Sequence, residues 1–367
     1  MTKSPMTLRE KVGQLFMIGF DGTDLSPELI SWIQDYQPGG IILFSRNLVD
    51  ANQIAHLTNA LQDLAGPSHL LMAIDQEGGK VSRLPPEFTI FPPAATVAAC
   101  GSTDYAYQAA AVTAQELRTV GFNMNMAPVL DVNTNPLNPI IGDRAFSADP
   151  EQVCTLGNAT ISGLHDHGII ACGKHFPGHG ESTKDSHKEL PIVTLSKERL
   201  EQIELHPFRS AITHGLMTMM SAHIHFPALD DTVPATLSHK VMTTLLRDEI
   251  GFSGVMLSDD LEMNAIAEHM SMGEAAVRSI QAGIDLILIC HQQTRQAEAI
   301  EAVEEAIQKG TISESRLDMS LARISALKQR FLASYTPVDY HSIAQVVGSS
   351  SHRNLLAEIQ TISSAQT

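Results

Sequence analysis

Short apolar, β-favouring runs recur at Leu15 to Phe20, Gly40 to Phe44, Leu70 to Asp75, Asn123 to Leu130, Ile169 to His175, Met217 to Ala222, Gly254 to Ser258 and Ile284 to Cys290. Between them lie segments of helical periodicity with their own start and stop signals. Ser238 precedes a helix expected to reach Glu249, with Gly251 just past its end. Thr103 stands ahead of a helix that ends at Gly121, and another runs from Gln293 to Lys309 and stops at Gly310. Strands buried on both faces and alternating with helices make a parallel sheet. Eight such units in about 300 residues imply closure into a single (β/α)8 TIM-type barrel of class α/β. The runner-up is an open doubly wound sheet, but no G-x-G-x-x-G follows the first strand.

The barrel's last helix is expected over Ser313 to Phe331, after which Tyr335, Pro337 and Val346 to Ser351 read as a linker. This divides the chain into a barrel at 1–335 and a linker with a short C-terminal tail at 336–367. The tail string HRNLLAEIQTISSAQT has the pattern of one short amphipathic helix, too small to be a domain.

Composition narrows the partners. The 367 residues are 43% hydrophobic and 18% charged, without a fixed-period repeat, as expected of a compact globular chain. Its 24 basic and 41 acidic residues leave a formal charge of −17, which repels phosphate backbones and anionic membranes. Nucleic acid and membrane are therefore not expected partners. Cys100, Cys154, Cys172 and Cys290 show no C-x-x-C spacing and lie in or beside apolar segments, as buried free thiols do, which fits a reducing compartment. The start, MTKSPMTLREKVGQLF, has no apolar run after its first charges, and no stretch of about eighteen apolar residues follows. A cytoplasmic location is the expectation.

In barrels of this kind chemistry sits at the carboxyl ends of the strands. Strand three ends in Asp75, strand four in Asp131, strand five in Lys174-His175, strand six in His223 and strand seven in Asp259-Asp260. An aspartate there also serves as a helix N-cap or turn former. Five polar ends converging on one apolar-walled mouth weaken that reading, because such groups are costly without a ligand or partner.

The run from Lys174 to His187, KHFPGHGESTKDSH, carries glycines at 178 and 180 and many small polar residues, the description of a long, mobile loop after strand five. Asp185 and His187 stand two apart, close enough for the carboxylate to fix the imidazole tautomer and stabilise its charged form. His175, His179 and His187 also raise a metal reading, to which the His223-x-His225 pair adds. An amidohydrolase-like barrel, however, would carry such a pair on its first strand.

Taken in order, LREKVGQLFMIGF, GGIILF, IDQEGGKVSRL, APVLDVN, IGDRAFS, KHFPGHG with DSH, AHIHFPALD, PATLS and GVMLSDDLEM resemble glycoside hydrolase family 3, in its bacterial β-N-acetylglucosaminidase (NagZ-type) branch. KHFPGHG followed four residues later by DSH is specific to that branch. The resemblance implies removal of terminal non-reducing β-linked N-acetylglucosamine with retention, and a monomer with no cofactor and no metal is the expectation. It implies Asp259 as nucleophile, forming a covalent glycosyl intermediate, and Asp185 with His187 as the acid/base dyad. Asp75, Arg83, Arg144, Lys174 and His175 would hold the sugar hydroxyls. It also implies muropeptides as natural substrates, in cytoplasmic peptidoglycan recycling. The sequence departs from the family at Glu181-Ser182, where Asp-Thr is usual after GHG. Some members carry a second α/β domain, and SSSHRNLLAEIQTISS resembles its beginning, as a relic or a truncation.

A retaining glycosidase needs a carboxylate to attack the anomeric carbon and an acid to protonate the departing oxygen. An imidazole with an unperturbed pKa of about 6.5 can give and retrieve that proton near neutrality. Glu77 and Asp260 are the conventional alternatives for the acid. Asp260 is expected to point away or cap the next helix, and Glu77 to organise the turn after strand three. The competing readings are a family 3 β-glucosidase or broad β-glycosidase, a metal-dependent amidohydrolase, and a sugar-binding barrel without catalysis.

Overall fold

The computed structural model describes residues 6–186 and 188–365. Eight parallel strands close in sequence order into a barrel: β1 (Phe16–Ile18), β2 (Gly40–Leu43), β3 (Leu71–Ile74), β4 (Met124–Asn125), β5 (Ile170–Phe176), β6 (Thr218–Ser221), β7 (Val255–Asp260) and β8 (Leu286–Ile289). Closure is made by β1 against β8, where Met17 sits beside Leu288. Side chains alternate in and out along each strand. Met17, Ile42, Leu71, Ala73, Cys172, Leu257 and Leu288 fill the inside, whereas Phe16, Ile18, Ile41, Leu43, Met72 and Ile74 pack outward under the helices. All eight apolar runs of the sequence thus become strands, buried on both faces.

Six of the observed strands, all but β5 and β7, are shorter than the runs, most of all β4. Pro128 has no N–H to continue its ladder. Asparagine side chains substitute: Asn123 bonds Met72 N at 2.8 Å and Leu70 O at 2.9 Å, and Asn125 bonds Gln76 N and Gln76 O, each at 2.9 Å. Two other strands change register before they end. The β5–β6 pairing shifts between Gly173 and Phe176, and the β7–β8 pairing between Leu257 and Asp260.

The helices follow their sequence signals. The helix Thr103–Thr119 is capped by Ser102, Gln293–Gln308 stops one residue before Lys309, and Glu314–Leu332 is capped by Ser313. Ser238 accepts from Val241 N, but the helix it introduces, Lys240–Glu249, is wound at the wider π pitch. Ile324, Leu327 and Leu332 of the Glu314–Leu332 helix join the interior cluster and close the bottom of the barrel. Beyond it, Tyr340–Val346 and Ser350–Ser364 are helical and pack on the barrel's helices Ala51–Ala65, Ala94–Ala98 and Thr103–Thr119. The stretch Val346 to Ser351, read as linker, holds the end of the first helix, a turn at 347–349 and the start of the second. All four cysteines are free and buried. No helix among the described residues is long and apolar enough to cross a membrane.

Near the bottom, fully buried Asp285 accepts from Arg247 at 2.6 Å, Arg323 at 2.9 Å, Arg316 at 3.3 Å and the Ser320 hydroxyl at 2.7 Å. Burial lowers the Arg247 guanidinium to about 10 against the pull of Asp285. Removing the single anion from such a cluster leaves buried cations uncompensated, which costs about 3–5 kcal/mol. Asp285→Ala is therefore expected to lower the unfolding free energy by about that amount in urea titrations. A loss under 1 kcal/mol would show that the three arginines find water or other partners.

Candidate active site

The mouth at the carboxyl ends of the strands holds a cavity of about 350 Å³. Asp75, Arg83, Arg144, Lys174, His175 and Asp259, six of the residues singled out in the sequence, line it together. Two of them are neighbours in sequence, and in a regular strand neighbours point to opposite faces. The register shift at the end of β5 lets Lys174 and His175 both face the cavity. The shift at the end of β7 does the same for Asp259 and Asp260.

Charges are paired across strand ends. Lys174 Nζ lies 2.8 Å from Asp75 Oδ1 and 2.6 Å from Glu77 Oε1. Arg144 grips Glu77 with two hydrogen bonds of 2.8 Å, and Arg83 stands 4.0 Å from Asp75. Burial alone would raise the Glu77 carboxyl, but Lys174 and Arg144 outweigh it and hold the group well below the carboxylate range. Burial would likewise strip the Lys174 ammonium of its proton, yet Asp75 and Glu77 push its pKa up instead. The Glu77 carboxylate thus binds two cations, Lys174 and Arg144, where the sequence led us to expect it to organise the turn after strand three.

Below His175 lies Asp131, with no exposed surface. Its carboxylate accepts from His175 N at 3.1 Å, His175 Nδ1 at 2.7 Å and His179 N at 2.7 Å. A proton fixed on Nδ1 leaves His175 Nε2 as the acceptor facing the cavity. Burial would raise Asp131, but His175 and His179 bring it below its ordinary value.

The loop after β5 is tied down at several points. Asn138 donates to His179 O at 2.8 Å and to Gly180 O at 2.9 Å, and Thr134 donates to the Glu181 carboxylate at 2.5 Å. Glu181, the position that departs from the family, therefore joins this loop to the one after β4. Gly180 is required there, since a Cβ would fall on the carbonyl of Val132. His179 Nε2 bonds Ser186 Oγ at 3.2 Å, and Ser186 O accepts from Ala265 N at 3.4 Å. Asp185 is described, its carboxylate 4.0 Å from Lys188 Nζ and its carbonyl accepting from Lys188 N and Glu189 N. His187, assigned as the proton donor, lies outside the described residues.

Burial, the largest cause, lowers the His179 imidazole to about 4. In the unfolded chain it takes up a proton near pH 6.5, so its stabilisation is complete above that pH and is lost as pH falls toward 4. About 3 kcal/mol is at stake in this window. His165, lowered to about 4 chiefly by burial, titrates alongside. His179→Gln is expected to flatten the stability–pH curve between pH 6.5 and 4 in urea unfolding, with the His165 share remaining. An unchanged slope would mean that His179 is charged in the folded protein.

Asp260 is not turned away from the mouth as expected. It lines the cavity while Oδ1 accepts from Glu262 N at 3.1 Å and Cys290 N at 3.2 Å, and its second oxygen lies 3.4 Å from His291 Nε2. These bonds tie β7 to the end of β8. Asp259 Oδ1 accepts from Asp260 N at 2.8 Å. His223 is bound through Nδ1 to Thr236 Oγ1 and through Nε2 to Asp260 O, and His225 Nε2 to Asp230 O. This pair joins loops and faces no common point. Phe44, Met220, Glu262 and His291 also line the cavity and were not anticipated.

Residues 7–327 match the glycosyl hydrolase family 3 N-terminal domain. Beta-hexosaminidase A from Pseudoalteromonas piscicida is 35% identical over 398 aligned residues, covering 97% of this chain and 66% of that protein, so the chain spans just under two thirds of it. Among solved structures, a family 3 β-N-acetylglucosaminidase from Paenibacillus sp. str. FPU-7 superposes with a TM-score of 0.95 at 43% identity, over 98% of this chain and 69% of that one. NagZ from Neisseria gonorrhoeae, in complex with N-trifluoroacetyl-D-glucosamine, superposes with a TM-score of 0.77 at 30% identity, over 95% of this chain and 98% of that one.

Proposed function

Because the chain belongs to glycoside hydrolase family 3, we propose that it is a retaining exo-β-N-acetylglucosaminidase whose nucleophile is Asp259. The observation that carries this reading is one cavity in which Asp259 faces a cradle of hydroxyl-binding charges, Asp75, Arg83, Arg144, Lys174 and His175. Its volume of about 350 Å³ is at the small end for ligand sites, which suits a single terminal sugar. Asp75 and His175 accept from sugar hydroxyls, while Lys174, Arg83 and Arg144 donate. The pairing of each charge with a neighbour keeps this pattern rigid before substrate arrives.

Asp259 attacks the anomeric carbon, and the leaving oxygen takes a proton from His187, whose imidazolium Asp185 stabilises. In the second half-reaction neutral His187 removes a proton from water, which releases the sugar and restores Asp259. The relatives' names, a hexosaminidase, an N-acetylglucosaminidase and a NagZ, support N-acetylglucosamine over glucose as the sugar. In this reading the protein acts as a cytoplasmic monomer on peptidoglycan-derived muropeptides. A single domain, residues 1–335, carries all the catalytic groups, with 336–367 as an appendage.

Two experiments test the reading. Proton NMR of the first minutes of hydrolysis is expected to show the β-anomer of N-acetylglucosamine, and early α-anomer would remove the covalent step. Cell-wall fragments assayed beside chitobiose are expected to be the better substrate. Equal rates on both would overturn the muropeptide assignment and leave the hexosaminidase assignment standing.

A further inference from the structure

A second cluster of reactive side chains lies on the barrel's flank, where the helix Pro150–Asp166 packs against the helix His206–His214. Glu151 and Cys154 stand one turn apart on the first, and His206 opens the second. One ligand atom from each lies within 4.8 Å of the other two, and His206 Nε2 is 2.8 Å from Glu151 Oε1. One turn beyond Cys154, Asn158 donates to Ser210 Oγ at 2.9 Å, while its Oδ1 is buried with no hydrogen-bond partner. A cavity of about 440 Å³ adjoins, lined by Asn158, His206, Arg209, Ser210, Thr213 and His214.

We propose that Glu151, Cys154 and His206 bind a zinc-class divalent cation that clamps these two helices together. The donor set is the argument. A thiolate with an imidazole and a carboxylate selects zinc over magnesium or calcium, which take oxygen ligands. Tetrahedral zinc, with Zn–N near 2.0 Å and Zn–S near 2.3 Å, places its donors roughly 3.3–3.8 Å apart. The present spacing needs only a small closure at Cys154 and a small opening between His206 and Glu151. Glu151 is exposed and His206 half-buried, so both side chains are free to adjust, whereas Cys154 is fixed by burial. Three protein ligands leave a fourth position for water. Burial pushes the Cys154 thiol above its ordinary value, so binding proceeds as thiol plus cation giving metal thiolate plus one proton. The helices joined in this way follow β4 and β5, whose loops build the mouth.

The test uses the full-length chain, stripped with chelator and titrated with cobalt(II) as the spectroscopic stand-in. One equivalent is expected to raise a thiolate-to-cobalt absorption band, which zinc then abolishes. Glu151→Gln and His206→Gln are expected to weaken cobalt binding at least tenfold, and Cys154→Ser to eliminate the band. The first two substitute accessible positions, so they report even if the Cys154 variant does not fold. Zinc is also expected to raise the melting temperature of the wild type more than that of His206→Gln. Absence of the band, its persistence in Cys154→Ser, or unchanged affinity in both accessible-site variants would overturn the site. Hydrolytic activity enters none of these readouts, so the result stands apart from the fate of the glycosidase reading.

Discussion

Asp259→Ala is expected to remove turnover on every glycoside, whatever its leaving group, by a factor on the order of 10⁴–10⁶. The reason is positional as well as chemical. Asp259 sits at the end of β7, its Oδ1 held at 2.8 Å by the N–H of Asp260, so the carboxylate is aimed by its own strand and not by a loop. Loss of the nucleophile cannot be offset by a better leaving group, because no covalent intermediate forms. A slow 2-fluoro sugar is expected to label this residue, and peptide mass spectrometry can locate the adduct. Asp260 is one residue away and lines the same cavity, which makes the mapping decisive. Its carboxylate is committed to Glu262 N, Cys290 N and His291. A label on Asp260, or an Asp259→Ala enzyme with more than a few per cent of wild-type rate on aryl glycosides, would transfer the nucleophilic role.

The barrel was legible because every strand is buried on both faces and reads as an uninterrupted apolar run. The same rule marked where each run meets solvent, and hence which polar residues stand at the mouth. What periodicity does not report is local register. The shifts at the ends of β5 and β7 depend on how each strand meets its neighbour, and there consecutive residues share a face. Asp260 was therefore assigned outward by a rule that its strand does not obey. The strand at 123–130 was overestimated for a different reason. Its apolar pattern is continuous, but Pro128 breaks the ladder and asparagine side chains take over the hydrogen bonds. The linker at 346–351 was misjudged because the glycine and serines that suggest a loop also start a helix, with Ser349 as its N-cap.

Glu77 shows what a sequence string conceals at a site. Within QEGG it reads as a turn residue near a strand end, and nothing local distinguishes it from a proton donor. Only Lys174, 97 positions on, and Arg144, from a third strand's loop, determine that it stays ionised. Asp131 is similar, since its three hydrogen bonds all go to His175 near the end of β5 and His179 in the loop that follows. These two carboxylates hold His175, Lys174 and Arg144 in place.

His187→Ala is expected to separate substrates by how much each needs an acid. An alkoxide leaving group departs only with protonation, whereas nitrophenolate departs almost unaided. The variant is thus expected to lose about 100- to 10,000-fold on chitobiose or a muropeptide and several-fold less on the nitrophenyl glycoside, as measured by kcat/KM. Asp185→Asn is expected to give a weaker version of the same pattern, because the imidazolium loses its stabilising charge but keeps its place. The alkaline limb of the wild-type kcat/KM profile, where the donor has lost its proton, should flatten in the histidine variant. The site leaves few substitutes for the role. Glu77 is held ionised by two cations, His175 Nδ1 is bound to Asp131, and burial keeps His179 neutral. Equal losses on both substrates with an unchanged pH profile would make His187 a binding or folding element. The acid would then have to be sought in Glu262, which lines the cavity and whose carboxyl burial and Asp260 raise above its ordinary value.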